Sequence, residues 1–500
     1  MKAKASVKLF AAIASLFLLG SAIAQEPNAT PQPNATRQSN ATPPPNIVFI
    51  LTDDLSLNLV PYMPHLLQMQ QNGVTFTNYF VADSLCCPSR ASIFTGRYPH
   101  NTGVLANAGP SGGYTAFEAN NMQSASFADA LSAAGYRTAM LGKYLNGYLP
   151  KLNGPDPGWS YWAVAGNGYP EFGYDLNQNG QVVFYGQQPA DYLTDVVSGL
   201  AANFIQGGSQ PYFVEIATFA PHRPYVPAPR NANAYPNLRM PRTPAFNAAP
   251  DPNAPHWLSS LTTPLDATEI ANIENFFRLR VRSVLAIDKM IGDLQTLVAS
   301  LGQQNNTIFV FSSDNGYHMG DHRLLPGKRT AFDTDIQVPL VMTGPGITAG
   351  SVVSALAQNV DLAPTFIELA GLELARALPS AIIDGRSLLP WLYPLATPPG
   401  SRPWRTAALV EHQRGDVIDE DDPDTDSSPY EHHTADPPTY KAIRTSNATY
   451  VEYVTGEKEY YDLLVDPYEM VNAYESLDPA TQASLHAQLI ALQNCQGSSC

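Results

Sequence analysis

The chain has 500 residues, 44% of them hydrophobic and only 14% charged, against roughly a quarter charged in an average soluble domain. It therefore has the apolar content for a substantial core and is not a disordered protein. The formal charge of −16 excludes non-specific nucleic-acid binding, which needs basic surface to displace counterions, and an anionic substrate would have to be drawn in by a local cluster of cations.

Lys2, Lys4 and Lys8 precede an apolar run over 9–19 that closes on Ala22-Ile23-Ala24. This layout predicts a secretory signal peptide, residues 1–24, and an exported protein: extracellular or periplasmic, or lysosomal in a eukaryote. No later run approaches the roughly 20 apolar residues of a membrane-spanning helix. Residues 25–45 form a proline-rich linker with almost no apolar side chain. Its Asn-Ala-Thr triplets at Asn28, Asn34 and Asn40 fit the N-glycosylation pattern, as do Asn305 and Asn447. These would carry sugar in a eukaryote and remain polar in most bacteria.

The continuous apolar stretch over 46–51 predicts a central strand buried on both faces, and Asp53-Asp54 follow it. A helical pattern over 63–71 and a β-rich stretch over 74–80 lead to residues 84–103, SLCCPSRASIFTGRYPHNTG. There Pro88 suits the first turn of a helix, which sets Cys86 and Cys87 at the helix mouth, where the backbone favours anions. Next come a helix over 126–134, a strand over 136–140 and the segment Gly142-Lys143-Tyr144-Leu145-Asn146. A hairpin over 174–185 turns at Asn179-Gly180. A helix over 192–205 leads into a strand over 212–217 and the turn Ala220-Pro221-His222-Arg223-Pro224. Residues 224–264, rich in proline and alanine, read as a surface excursion and a wall for a substrate cleft. Apolar residues spaced by threes and fours from Ile270 to Val298 predict one long amphipathic helix. It feeds a strand over 308–311 and then Asp314-Asn315-Gly316. A strand over 338–342 and a helix over 361–370 complete a main domain over 46–400. Beyond it lie a strand over 409–411, an acidic loop over 415–438 that lacks the spacing of a calcium loop, two or three antiparallel strands over 440–461 and a helix over 480–493. These predict a smaller α+β unit over 401–500.

Asp53-Asp54 and Asp314-Asn315 each follow an apolar strand directly, and in an open parallel sheet such positions converge on the crevice beyond the strands' carboxyl ends. A single acidic residue there ordinarily caps a helix. Two pairs offer oxygen ligands only, three of them anionic, a set that suits a hard divalent cation such as Ca2+ or Mg2+. Three carboxylates outweigh a divalent charge, so an anionic ester would need further cations close by.

Cys86-x-Pro-Ser-Arg, with Thr95-Gly96-Arg97 behind it, resembles the sulfatase signature, and the resemblance extends over 46–500. It implies an alkaline-phosphatase-like α/β sandwich with a large mixed β-sheet flanked by helices, plus a C-terminal subdomain with an antiparallel sheet and a helix. It also implies that a formylglycine-generating enzyme oxidises Cys86 to 3-oxoalanine (formylglycine), and that Asp53, Asp54, Cys86, Asp314 and Asn315 hold the metal. With Cys86 converted and Cys87 held nearby, Cys495 and Cys500 are left to pair. By the same resemblance Arg90 holds the formylglycine, Lys143 and Lys328 bind sulfate oxygens, and His222 contacts the substrate near the leaving oxygen. One hydroxyl of the hydrated aldehyde attacks sulfur, and the second then lets sulfate leave. The expected activity is hydrolysis of an aryl sulfate or a sulfated sugar. Two alternatives stand beside it: a phosphonate monoester or phosphodiester hydrolase with the same nucleophile, and a secreted binding glycoprotein with Cys86 unconverted.

Gly142-Lys143-Tyr144-Leu145-Asn146, Asp314-Asn315-Gly316-Tyr317-His318 and the closing pair of cysteines are similar to the branch of N-acetylglucosamine-6-sulfatases and some arylsulfatases. Many sulfatases carry a histidine where this chain has Leu145, and Asn146 cannot act as a base. His318 is a candidate to supply the imidazole; the other reading makes it a histidine behind the site or on the surface.

Overall fold

The computed structural model describes residues 44–208, 211–378, 382–394, 404–415 and 436–500. The signal-peptide reading, almost all of the linker with its three triplets, and most of the acidic loop lie outside them. The strands are β1 (Asn46–Thr52), β2 (Val74–Phe76), β3 (Tyr79–Phe80), β4 (Arg137–Lys143), β5 (Tyr161–Ala165), β6 (Tyr174–Gln178), β7 (Gln181–Tyr185) and β8 (Tyr212–Ala217). They continue with β9 (Thr307–Ser313), β10 (Leu340–Thr343), β11 (Ser351–Val353), β12 (Ala357–Gln358), β13 (Ala407–His412), β14 (Tyr440–Thr445), β15 (Ala448–Tyr453) and β16 (Lys458–Asp462). A ten-stranded mixed sheet runs in the order β11-β2-β10-β9-β1-β8-β4-β5-β6-β7, and a four-stranded antiparallel sheet in the order β13-β14-β15-β16.

All seven residues of β1 are buried, and the strand's period of two divides them between two cores. Ile47, Phe49 and Leu51 join the cluster that holds Ala91 and Phe94 of the helix Cys86–Thr95 and Phe366 of the helix Leu362–Leu369. Val48 and Ile50 join the opposite cluster, which takes Ile273, Phe277, Val281 and Val284 from the long helix Ala267–Ser300. That helix begins where Asp266 and Glu269 form a capping box. Both sheet faces are therefore covered, as a largely parallel sheet requires.

Register places the site. β1 lies parallel to β8 on one side and to β9 on the other, with Thr52 opposite Ser313. Asp53 and Asp314, each the next residue, emerge side by side. The strand expected over 136–140 continues to Lys143, which brings that lysine to the same edge. Gly142 permits this: its φ is 97°, and a Cβ there would come within 2.0 Å of the Ala217 carbonyl oxygen on β8. The stretch over 74–80 divides in two, since β3 leaves the main sheet to pair with β12.

The small sheet packs with the helix Pro479–Gln493, and Cys495 is disulfide-bonded to Cys500. Arg405, just before β13, makes a two-pronged ion pair with Asp361, with Nη2 2.6 Å from Oδ1, and both side chains are almost fully buried. Breaking one side of such a pair strands the other charge away from water. Arg405→Met should cost about 3–5 kcal/mol, read from denaturant unfolding of the whole chain.

Glu215, in the middle of β8, is fully buried and, among the described residues, has no hydrogen-bond partner on either carboxylate oxygen. Burial pushes its carboxyl from the ordinary 4.5 up to about 8. The native state thus keeps a proton that the unfolded chain releases above pH 4.5, so stability falls as pH rises toward 8. Glu215→Gln should flatten that fall, narrowing the difference between thermal midpoints at pH 5 and pH 8.

Candidate active site

Nine of the ten residues expected at the site converge on the carboxyl edge of β1, β9, β8 and β4. Cys86 is the first residue of its helix, and its thiol donates to Asp53 Oδ1 at 3.4 Å. Lys143 Nζ donates to the other oxygen of Asp53 at 2.5 Å. Lys328 Nζ donates to Asp54 Oδ1 at 2.7 Å and to Cys86 Sγ at 3.1 Å. Arg90 donates through Nε to Asp314 Oδ2 at 2.8 Å and through Nη1 to the Lys143 carbonyl at 3.0 Å. Asn315 Nδ2 donates to Asp54 Oδ1 at 2.6 Å. Neither acidic pair caps a helix; both stand in irregular backbone at strand ends, and Asp54 is left-handed at φ 61°.

His222 Nε2 lies 3.2 Å from Lys328 Nζ and 3.4 Å from Asp54 Oδ2. Its Nδ1 is 2.8 Å from the Arg223 carbonyl. A carbonyl can only accept, so Nδ1 carries a proton, and Nε2 faces the centre. One ligand atom from each of Asp53, Asp54, Cys86 and His222 fits within a span of 4.8 Å. His318 stands apart: its Nδ1 is 3.0 Å from both oxygens of Asp335, and it pairs through the backbone with Gly327, next to Lys328. No hydrogen bond or ion pair joins its side chain to Cys86 among the described residues.

Charge is balanced inside the cluster. Three carboxylates (Asp53, Asp54, Asp314) meet three cations (Lys143, Lys328, Arg90). Burial penalises the ionised forms of Asp53 and Asp54, but Lys143 and His222 around the first, and Lys328 and His222 around the second, hold both below the ordinary carboxylate range. Burial, helped by Asp53, pushes the Cys86 thiol well above its ordinary value. As a thiol it is therefore a poor nucleophile.

The donor set fits a hard divalent cation. Among the described residues, Asp54 Oδ2 and Asn315 Oδ1 are buried oxygens without a hydrogen-bond partner, and such groups are costly unless something else satisfies them. Arg90 Nη2 is likewise left without a partner.

Sequence reasoning missed Tyr169, which sits in an irregular loop after β5 with no motif to mark it. Its ring lies 4.6 Å from the His222 ring and 4.8 Å from Lys143 Nζ, centroid to centroid and centroid to nitrogen. Its hydroxyl accepts from Asn146 Nδ2 at 3.1 Å. Asn146 in turn donates its backbone N–H to Cys87 Sγ at 3.0 Å, so the second cysteine ties the nucleophile helix to the Lys143 loop. Tyr169→Leu should lower kcat/KM for a sulfate ester by about tenfold, the scale of a desolvated cation–π contact, while Tyr169→Phe should stay near wild type. Arg280 of the long helix also went unmarked; its Nη2 donates to the Asp54 carbonyl at 2.5 Å.

A sulfatase family model matches residues 45–372. Human N-acetylglucosamine-6-sulfatase is 34% identical over 484 residues, covering 91% of this chain and 86% of its own length. The arylsulfatase of Volvox carteri is 29% identical over 509 residues, covering 91% and 75%. A solved structure of a protein in complex with its substrate, D-glucosamine-2-N,6-O-disulfate, superposes with a TM-score of 0.72 at 25% identity, covering 90% of this chain and 97% of that one.

Proposed function

The chain belongs to the sulfatase family and is a sulfuric ester hydrolase, and we propose that it removes the 6-sulfate of a glucosamine-type sugar with a formylglycine made from Cys86. The observation that carries this reading is the placement of Cys86 Sγ between Asp53 and Lys328, with Lys328 bridging to Asp54. The names of the human relative and of the ligand in the structural neighbour support the sugar.

Asp53, Asp54, Asp314 and Asn315, with the side chain at 86, are the residues that would hold a Ca2+ or Mg2+ ion. Once bound, the ion would polarise the sulfate oxygens, and the hydrated aldehyde would supply the attacking oxygen and, through its second hydroxyl, the route by which sulfate leaves. The protein residues supply the remainder. Carboxylates at −3 and cations at +3 leave a divalent ion's +2 to attract the ester, despite the net charge of the whole chain. Lys143 and Lys328 turn from their carboxylates to sulfate oxygens as the ester arrives. Arg90 keeps Asp314 and the Lys143 loop in place and offers its unused Nη2 toward position 86. His222, its Nδ1–H held by the Arg223 carbonyl, faces the leaving oxygen with Nε2 and, as the doubly protonated ring, gives it the proton an alkoxide needs. His318, braced by Asp335 and paired through the backbone with Gly327, steadies the Lys328 loop. A signal-like N-terminus and the Cys495–Cys500 disulfide both suit export, with maturation by a formylglycine-generating enzyme on the way.

The test is a substrate panel on protein whose Cys86 peptide shows the mass of the aldehyde. N-acetylglucosamine-6-sulfate and glucosamine-2-N,6-O-disulfate should be turned over with higher kcat/KM than 4-nitrophenyl sulfate or phenyl phosphonate. Preference for the phosphonate, or an unconverted thiol in fully active protein, would overturn the reading.

A further inference from the structure

Arg280, on the long helix Ala267–Ser300, has no exposed surface. A guanidinium buried so completely ordinarily faces a carboxylate, yet among the described residues no ion pair joins this one to an acid, and its Nε and Nη1 have no hydrogen-bond partner. Only Nη2 is engaged. It donates to the Asp54 carbonyl at 2.5 Å and to the Ser56 hydroxyl at 3.3 Å, while the Asp54 carboxylate faces Lys328, Asn315 and His222.

The rest of the guanidinium rests on aromatic faces, with Cζ 4.3 Å from the Tyr317 ring centroid and 5.9 Å from that of Tyr225. The two rings meet edge to face and their hydroxyls are 2.7 Å apart. Tyr317 stands two residues after Asn315, and the Tyr225 N–H donates to the His222 carbonyl at 2.9 Å. One side chain thus touches the three segments that deliver Asp54, Asp314-Asn315 and His222. Asp54 needs such a hold, because its left-handed φ of 61° is one that a residue other than glycine keeps only when its surroundings enforce it. Its N–H is fixed by Asp314 Oδ1 at 3.1 Å and its carbonyl by Arg280, so the peptides on both sides of its Cα are set, and with them the direction of the carboxylate. The charge of Arg280 has the wrong sign to attract a cation. What it contributes is geometry.

We propose that Arg280 is a positioning residue of the metal centre: by gripping the Asp54 carbonyl and stacking on Tyr317 it presets the oxygens of Asp54 and Asn315, and so raises the affinity for a divalent ion while leaving its own charge buried and unpaired. The inference rests on the divalent-ion reading above. The experiment titrates Ca2+, and separately Mg2+, into chelator-extracted wild type, Arg280→Met and Arg280→Lys by calorimetry, with thermal midpoints in chelator and kcat and KM for 4-nitrophenyl sulfate at saturating ion. Arg280→Met should weaken ion binding by about 10–100-fold, the usual effect of removing a group that orients a metal ligand, although charge alone would make the ion bind more tightly. Its KM should stay near wild type, and its midpoint in chelator should hold or rise, because a buried charge without a carboxylate has gone. Arg280→Lys, which keeps the charge and a donor but loses the flat face, should lie between the two. Equal or tighter binding by Arg280→Met, or a lowered midpoint with unchanged affinity, would overturn the role of Arg280 and leave the metal reading intact. Absence of binding by wild type would overturn the metal reading, and this inference with it.

Discussion

Cys86→Ala protein should lose turnover of every sulfate ester by about 10⁶-fold, the scale on which removal of a covalent nucleophile is felt. The fold should survive, because Cys86 is held as a neutral thiol whose bonds are the weak ones to Asp53 and Lys328, and alanine fits the first turn of the helix. Cys87→Ser is the paired control. A hydroxyl can accept the Asn146 N–H as the sulfur does, so this variant should keep most of its activity. The measurements are turnover, thermal midpoint and mass spectrometry of the peptide that spans both cysteines. Full activity in Cys86→Ala would remove the nucleophile from the mechanism.

Asp54→Asn should cost on the order of 10³-fold in kcat, comparable with the loss of a preorganised electrostatic partner, together with the bound divalent ion. Asp54 Oδ1 accepts from both Lys328 and Asn315, and His222 stands 3.4 Å from Oδ2. The amide keeps the shape and removes the charge that balances Lys328, which is 2% exposed. That leaves a buried ammonium without a counter-ion beside the place where a cation should sit. Elemental analysis should find about one ion per wild-type chain and almost none in the variant. Extraction of wild type with a chelator should reproduce the loss, and readdition of Ca2+ or Mg2+ should restore it. A variant that kept its ion and its rate would show that the metal lies elsewhere.

Much of this centre could be read in the sequence because it is made by strand ends. An unbroken apolar run ending in Asp53-Asp54, and another ending in Asp314-Asn315, are local signals, and the parallel register of β1 and β9 converts them into one place. The nucleophile segment, the three cations Arg90, Lys143 and Lys328, and His222 were legible through motif context. Tyr169 was not, because its part depends on a loop that folds back over the end of β4. The orientation of His222 was hidden for a similar reason: which ring nitrogen faces the centre follows from the Arg223 carbonyl in the next residue of a turn. The break in the stretch over 74–80 was also invisible, since β-propensity reports a pleated, half-buried surface and says nothing about which sheet a residue joins.

Cys86 has no exposed surface at all. A modifying enzyme would have to close its own active site around the thiol, and the described residues bury it completely. If Cys86 is the residue that becomes formylglycine, as proposed above, its oxidation has to come before the chain closes over it, in a race between catalyst and collapse. Under this reading, molecules that win the collapse too early are trapped: well folded, thermally sound and permanently inert. The specific activity of a preparation then records the history of its synthesis as much as the quality of its fold.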